Sequence, residues 1–146
     1  GWVSSLPSYQ AAKAIGAMSD VLYVCAPTPL QHGVAAGIRA LGPSFYSDLI
    51  KEHQQKRDRF CGALSKAGLP PAVPQGAYYV LADMSRLPGK TSRERALYLL
   101  DKTGVAGVPG EAFFDGPEGS RFMRFCMAKT DQDLERASQA IEQFSR

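Results

Sequence analysis

The sequence predicts an α/β fold in which a helical first part leads into an α+β domain, a three- to four-stranded sheet with packed helices. Three observations carry that prediction. From the aromatic stretch at Tyr78 onward the segments run strand, helix, strand, long loop, strand, helix, an order that builds a small sheet covered by helices. The residues before it mostly repeat apolar side chains at helical spacing. Finally, Gly119-Ser-Arg-Phe-Met-Arg-Phe-Cys-Met-Ala128 alternates, so that Phe122, Arg124 and Cys126 share one strand face opposite Met123, Phe125 and Met127.

At 146 residues, with 45% apolar and 21% charged side chains, the chain is expected to be soluble and globular, with one ordinary core or a smaller core plus an appendage. The formal charge of +3 is mild and its Lys and Arg are spread along the chain, so no nucleic-acid partner is expected. Cys25, Cys61 and Cys126 are odd in number, widely separated and flanked by apolar residues. They point to reduced, mostly buried thiols and a cytoplasmic location. With no CxxC or HxxxH pair, and with His32 and His53 in different segments, no metal site is expected. No stretch approaches the length of a spanning helix, so no membrane partner is expected. The opening Gly1-Trp2-Val3-Ser4-Ser5 resembles the middle of a strand, and the sequence is expected to be a piece of a longer polypeptide.

Pro7 marks a turn after Trp2-Val3, and Ser8 to Met18 is expected to form a modest amphipathic helix bearing Tyr9, Ala12 and Ile15, closed or broken by Asp20. Val21 to Ala26 is expected as a strand or an irregular buried pass. Pro27 and Pro29 pin Thr28 in an extended connector, and Pro29 suits the first turn of a helix running to about Ala40. Its apolar stripe is Leu30, Val34, Ile38 and Leu41. After Gly42-Pro43 a long second helix is expected from Ser44 to about Ala67. Phe45, Leu49, Phe60 and Leu64 lie on its apolar side together with His53 or Lys56, and Gly68 is placed to end it.

A proline-rich connector, Pro70 to Gly76, delivers Ala77 to Asp83, the best strand candidate by aromatic and branched content. Tyr78 and Tyr79 would point to opposite sides of that strand, one of them toward the core. Thr91 with Glu94 supplies a capping box for a helix from Arg93 to about Lys102, with Ala96, Leu99 and Leu100 inward. Val105 to Val108 is expected as a short buried strand ended by Pro109-Gly110. Gly116-Pro-Glu-Gly119 resembles a turn rather than a phosphate cradle. Beyond the strand with Arg124, a last helix runs from Asp131 or Asp133 to Phe144, with Leu134, Ala137, Ile141 and Phe144 inward.

The residue that calls for explanation is Arg124, a permanent cation inside an apolar run. Its head turns to water, pairs with an internal carboxylate, or waits for an anion brought by a ligand. Arg121, at the start of the run, can reach water. Thr28 presents a hydroxyl from a stiff backbone, which suits a phosphate, an interface or a cap for the helix before Leu30. Phe113-Phe114, after a tight turn, makes a substrate or domain contact or folds back on the sheet. No Ser-His-Asp or Cys-His arrangement can be assembled from His32 and His53.

Taken together, Gly76-Ala-Tyr-Tyr-Val-Leu-Ala-Asp83, then Gly104-Val-Ala-Gly-Val-Pro-Gly110 with Phe113 after it, then Arg121-Phe-Met-Arg-Phe-Cys-Met-Ala128 with Asp133-Leu134, resemble the C-terminal part of a class I/II (fold-type I) pyridoxal-phosphate-dependent aminotransferase. Leu22-Tyr-Val-Cys-Ala26 and Thr28-Pro-Leu-Gln31 are similar to the matching stretch of the kynurenine, glutamine and methionine aminotransferases. The resemblance implies that residues 1–43 are a remnant of a large cofactor-binding domain, and residues 44–146 a C-terminal small domain that includes a long bridging helix. It implies Arg124 as the two-point partner of the substrate α-carboxylate, Tyr23 as a lining of the substrate pocket and Thr28 as a contact of the cofactor phosphate, in a homodimer whose sites form at the interface. The cofactor implied is pyridoxal 5′-phosphate, and the substrates are an amino acid with an apolar or aromatic side chain and a 2-oxo acid. In the family the Schiff-base lysine, the phosphate-holding arginine, the aspartate at the pyridine nitrogen and the aromatic stacked on the ring all lie upstream. None has a counterpart here and Lys13 does not take the lysine's role, so the chain by itself is expected to be inactive. The same resemblance is compatible with a carbon–sulfur β-lyase using that cofactor, and the chain is also compatible with a non-catalytic interaction module.

Overall fold

The computed structural model describes residues 9–22 and 25–144, and the chain divides into two compact units, Gly1–Tyr46 and Ser47–Arg146. The turn expected at Pro7 and the candidate Tyr23 lie outside the described residues.

In the first unit α1 spans Tyr9–Leu22 and α2 spans Thr28–Ala40, and α3 begins at Pro43. Helix α1 passes through Asp20 instead of ending there, and Val21 and Leu22 finish its last turn rather than opening a strand. An aspartate inside a helix costs well under about 1 kcal/mol, and both apolar residues continue the helical spacing of Ile15 and Met18. Pro27 is the N-cap of α2, with no side-chain cap bond, and Thr28 is already helical, so Thr28 does not serve as the cap. The Pro27 carbonyl accepts from the N–H groups of Leu30 and Gln31 at 3.0 and 3.2 Å. Leu30, Val34, Ile38 and Leu41, the expected inner stripe of α2, are all exposed.

The second unit contains most of α3 (Pro43–Lys66), β1 (Pro71–Ala72), β2 (Tyr79–Asp83), α4 (Ser92–Thr103), β3 (Val108–Pro109), 3-10 turns at Gly110–Ala112 and Pro117–Arg121, β4 (Phe122–Cys126) and α5 (Asp131–Phe144). The four strands form one sheet in the order β1-β2-β4-β3, every pair antiparallel. Val80 and Ala82 of β2 and Met123 and Phe125 of β4 are buried on one sheet face, with Phe60 and Leu64 of α3, Leu99 of α4 and Leu134 and Ile141 of α5. Each large apolar side chain removed from water there contributes about 1.5–3 kcal/mol. Phe60 meets Phe125 edge-on with ring centroids 5.6 Å apart. The fold is thus an α/β domain with a four-stranded antiparallel sheet packed against helices and preceded by helices.

Local chemistry sets the boundaries. Helix α3 ends in a six-to-one bond from Leu69 N–H to the Leu64 carbonyl and a second bond, spanning fewer residues, from Gly68 N–H to the Ser65 carbonyl, both 2.9 Å. This closure needs a left-handed residue, and Gly68 supplies it with φ 69. Thr91 Oγ1 accepts the Glu94 N–H at 3.1 Å, but the Glu94 carboxylate reaches Lys90 N–H at 2.7 Å, one residue earlier than a reciprocal box would place it. Thr130 caps α5, its Oγ1 accepting from Asp133 N–H at 3.1 Å.

Several expectations are corrected. The strand begins at Tyr79 rather than Ala77, whose φ of 66 breaks extended geometry. Tyr78 and Tyr79 are both exposed and meet edge-on at 5.4 Å, so neither belongs to the core. Leu100 is 42% exposed because the buried stripe of α4 runs through Ala96 and Leu99, one residue short of it. Of the expected third strand, Val105 to Val108, only Val108 pairs with β4, it is exposed rather than buried, and Pro109, expected to end the strand, is paired as well. Of the cysteines only Cys61 is buried, whereas Cys25 and Cys126 are exposed.

Candidate carboxylate-binding site

The alternation of β4 decides what its arginine can do. With Met123 and Phe125 in the core, Arg124 stands on the opposite face, half-buried, beside Leu81 of β2 and Val108 of β3. It is therefore central in the sheet without being in the core. Its guanidinium carbon lies 4.2 Å from the centroid of the Phe113 ring and 5.1 Å from that of Tyr79. A flat, weakly hydrated cation is attracted to the faces of such rings, and their contact restrains its orientation while leaving its N–H edges uncovered. Among the described residues no carboxylate is paired with it.

The nearby carboxylate on the same face is already engaged. Asp83 accepts from Arg121 Nε at 3.0 Å and from Arg121 Nη2, and also from Ser85 N–H at 2.8 Å and the Ser85 hydroxyl. Burial pushes the Asp83 carboxyl up, but the hydrogen bonds from Ser85 and Arg121 outweigh it and hold the group below the usual carboxylate range. Arg121 is thus paired rather than merely solvated, and Asp83 is kept off Arg124.

Phe113 follows the first 3-10 turn, its N–H bonded to the Gly110 carbonyl at 2.8 Å. Phe114 turns back and stacks on Phe122 with centroids 5.6 Å apart. Phe114 thus folds back on the sheet, as one of the two readings had it, while Phe113 lies against Arg124. Thr28 belongs to the first unit, where it is exposed at the head of α2. An exposed hydroxyl at the first turn of a thirteen-residue helix is chemically suited to a phosphate. His32 is exposed and His53 half-buried, and among the described residues no group of three metal-ligating side chains occurs. Nor does any described helix have the length and apolarity to cross a membrane.

Sequence reasoning singled out Arg124, Tyr79 and Phe113 separately and missed their assembly. For Tyr79 the signal was the shared parity of β2 and β4, since Tyr79 pairs with Cys126, two residues along the same face from Arg124. For Phe113, carried by an irregular turn, no periodic signal exists.

A family model, Aminotransferase class I and II, matches residues 1–141. The chain belongs to this aminotransferase family. This aminotransferase chain is 32% identical over 146 residues to kynurenine–oxoglutarate transaminase 3 of Bos taurus, with 87% of this chain and 32% of that protein covered. It spans about a third of the length of the curated relatives it matches. Among solved structures, the methionine aminotransferase YbdL of Escherichia coli superposes with a TM-score of 0.71 at 30% identity, covering 85% of this chain and 32% of that one. Bna3p of Saccharomyces cerevisiae gives a TM-score of 0.76 at 25% identity, covering 92% and 35%. Class I and II aminotransferases depend on pyridoxal 5′-phosphate.

Proposed function

We propose that this chain supplies the substrate-carboxylate part of a pyridoxal-phosphate-dependent aminotransferase that moves an amino group between an amino acid with an apolar or aromatic side chain and a 2-oxo acid. The observation that carries the reading is the Arg124 guanidinium, set against the rings of Phe113 and Tyr79 and without a carboxylate partner among the described residues. A carboxylate meeting that fork takes two parallel N–H···O bonds, which fix direction as well as position. Holding the carboxylate in this way also sets the direction of the Cα–H bond at the reacting carbon. Pyridoxal phosphate supplies, when bound, the electron sink that lets the Cα proton leave.

In this reading Thr28 contacts the cofactor phosphate and Tyr23 lines the substrate pocket. The lysine that anchors the cofactor is carried by a part of the protein outside this chain, so residues 1–146 alone do not transaminate. Residues 1–43 are then a piece of the cofactor-binding domain and residues 44–146 the small domain with α3 as its bridging helix, in a cytoplasmic homodimer. The rings of Tyr79 and Phe113 favour an apolar or aromatic substrate side chain over a second carboxylate. The relatives' names span kynurenine, methionine and LL-diaminopimelate, so the choice rests on the two rings and not on the relatives.

Replacing Arg124 by Lys in the complete enzyme keeps the charge and removes the two-point grip. The expected outcome is a fall in kcat/KM of at least about a hundredfold, the scale of a lost buried charged hydrogen bond. Single-turnover measurement of the half-reaction with an aromatic amino acid tests this, and a near-wild-type rate would sink the role. Running the complete enzyme with a cysteine conjugate, with and without a 2-oxo acid, separates amino transfer from pyruvate-releasing elimination.

A further inference from the structure

We propose that Ser92 and Glu111 form a positioning pair that sets the Phe113 ring against Arg124 and so fixes the direction of the carboxylate grip. The proposal rests on the reading of Arg124 as the carboxylate partner.

Phe113 is the nearer of the two rings to the guanidinium, yet it stands outside the sheet, directly after the 3-10 turn Gly110–Ala112. Strand pairing therefore does not hold it. The turn is tied to the first turn of α4 by two reciprocal hydrogen bonds. The Glu111 N–H donates to Ser92 Oγ at 3.3 Å, and the Ser92 N–H donates to Glu111 Oε1 at 3.3 Å. Ser92 N–H is among the N-terminal donors that a helix cannot satisfy internally, and a carboxylate is favoured at that end by the helix dipole. The Ser92 end of the tie is 1% exposed and locked in the core, while Glu111 is exposed.

A second tie lies one helical turn along. Arg95 Nη1 donates to the Ser120 carbonyl at 2.5 Å, and so fixes the 3-10 turn from which β4 and Arg124 emerge. The two 3-10 turns meet backbone to backbone: a Cβ on Gly110 would lie 2.4 Å from the Gly119 carbonyl oxygen. The first turn of α4 thus holds both the segment that carries Phe113 and the segment that leads into Arg124. Loss of the Ser92–Glu111 bonds loosens the first while the Arg95 tie still holds the second, and shifts the ring relative to the guanidinium.

The test uses the complete, cofactor-loaded enzyme and compares Glu111→Ala, Glu111→Gln, Ser92→Ala, Phe113→Leu and the double variant Glu111→Ala/Phe113→Leu. The readouts are KM and kcat for phenylalanine, the Kd of 3-phenylpropanoate by calorimetry, and Tm. Glu111→Ala and Ser92→Ala are expected to raise KM and Kd together by about threefold to tenfold, the worth of one net hydrogen bond, with kcat within about twofold. Glu111→Gln, which keeps an acceptor oxygen, restores most of the loss. The double variant binds no worse than Phe113→Leu alone, because Glu111 acts through that ring. An unchanged Kd in Glu111→Ala, or losses that multiply in the double variant, would overturn the pair. If Arg124→Lys is strongly impaired while either of those results is found, the pair alone is wrong; if Arg124→Lys behaves like the wild type, the functional reading itself falls.

Discussion

Arg121 and Arg124 stand three residues apart, and Asp83 decides their different fates. Only Arg121 reaches that carboxylate. With the arginine half exposed the pair is worth at most about 1 kcal/mol, and its larger effect is to keep a negative charge away from Arg124. Because the Asp83 carboxyl is held below its ordinary range in the folded protein, its contribution to stability is complete above the unfolded carboxylate value near about pH 4 and is lost as pH falls through the folded value. Asp83→Asn should therefore flatten part of the acid limb of stability below about pH 4, read as urea midpoints against pH. Glu52, lowered by Lys56, and Asp133, lowered by Thr130 and Arg136, keep the remainder of that slope. A second residue-scale feature is Ala77, at φ 66. Left-handed geometry costs an L residue about 1–2 kcal/mol, and glycine's extra chain entropy costs about 0.5–1. Ala77→Gly is expected to stabilise by about 0.5 kcal/mol on balance, and a drop in the urea midpoint would contradict it.

At the scale of elements, the end of α3 shows how one residue fixes a boundary. Gly68 closes the helix at φ 69, and a Cβ there would press on the Arg86 side chain, whose Nη1 donates to the Ala67 carbonyl at 2.8 Å. Gly68→Ala is expected to cost about 1–2 kcal/mol, measured by chemical denaturation. Such a stop is legible in a sequence because it joins a long apolar period to a glycine. Helices α2 to α5 and the alternation of β4 were legible for the same reason: period and punctuation agree. Val21-Leu22 were not, since a short apolar run carries no period of its own and α1 simply absorbed them. Strand β1 was hidden by its prolines. Pro70, just before the strand, accepts the Asp83 N–H through its carbonyl at 3.0 Å. In the candidate site Arg124 announced itself as a charge in an apolar strand, whereas the ring of Phe113 depends on a 3-10 turn and on bonds to a helix nineteen residues earlier in the chain.

For the whole molecule the distribution of the core matters most. Among the described residues the buried apolar ones, from Phe60 to Ile141, all belong to the second unit, and none of the first unit is buried. Residues 43–146, which keep α3 intact, should unfold cooperatively by themselves, whereas residues 1–46 alone should show no cooperative transition. Circular dichroism melts of the two pieces check this, and a sharp transition in the shorter piece would contradict it. The sheet adds one more consequence. Each of its outer strands is only two residues long and contains a proline, Pro71 in β1 and Pro109 in β3, so neither margin offers the row of free donors and acceptors that lets sheets of separate molecules zip together. Clumping of this chain would have to begin elsewhere, through greasy helix faces such as that of α2, and polar replacements at Leu30 and Ile38 would protect it where changes along the strands would not.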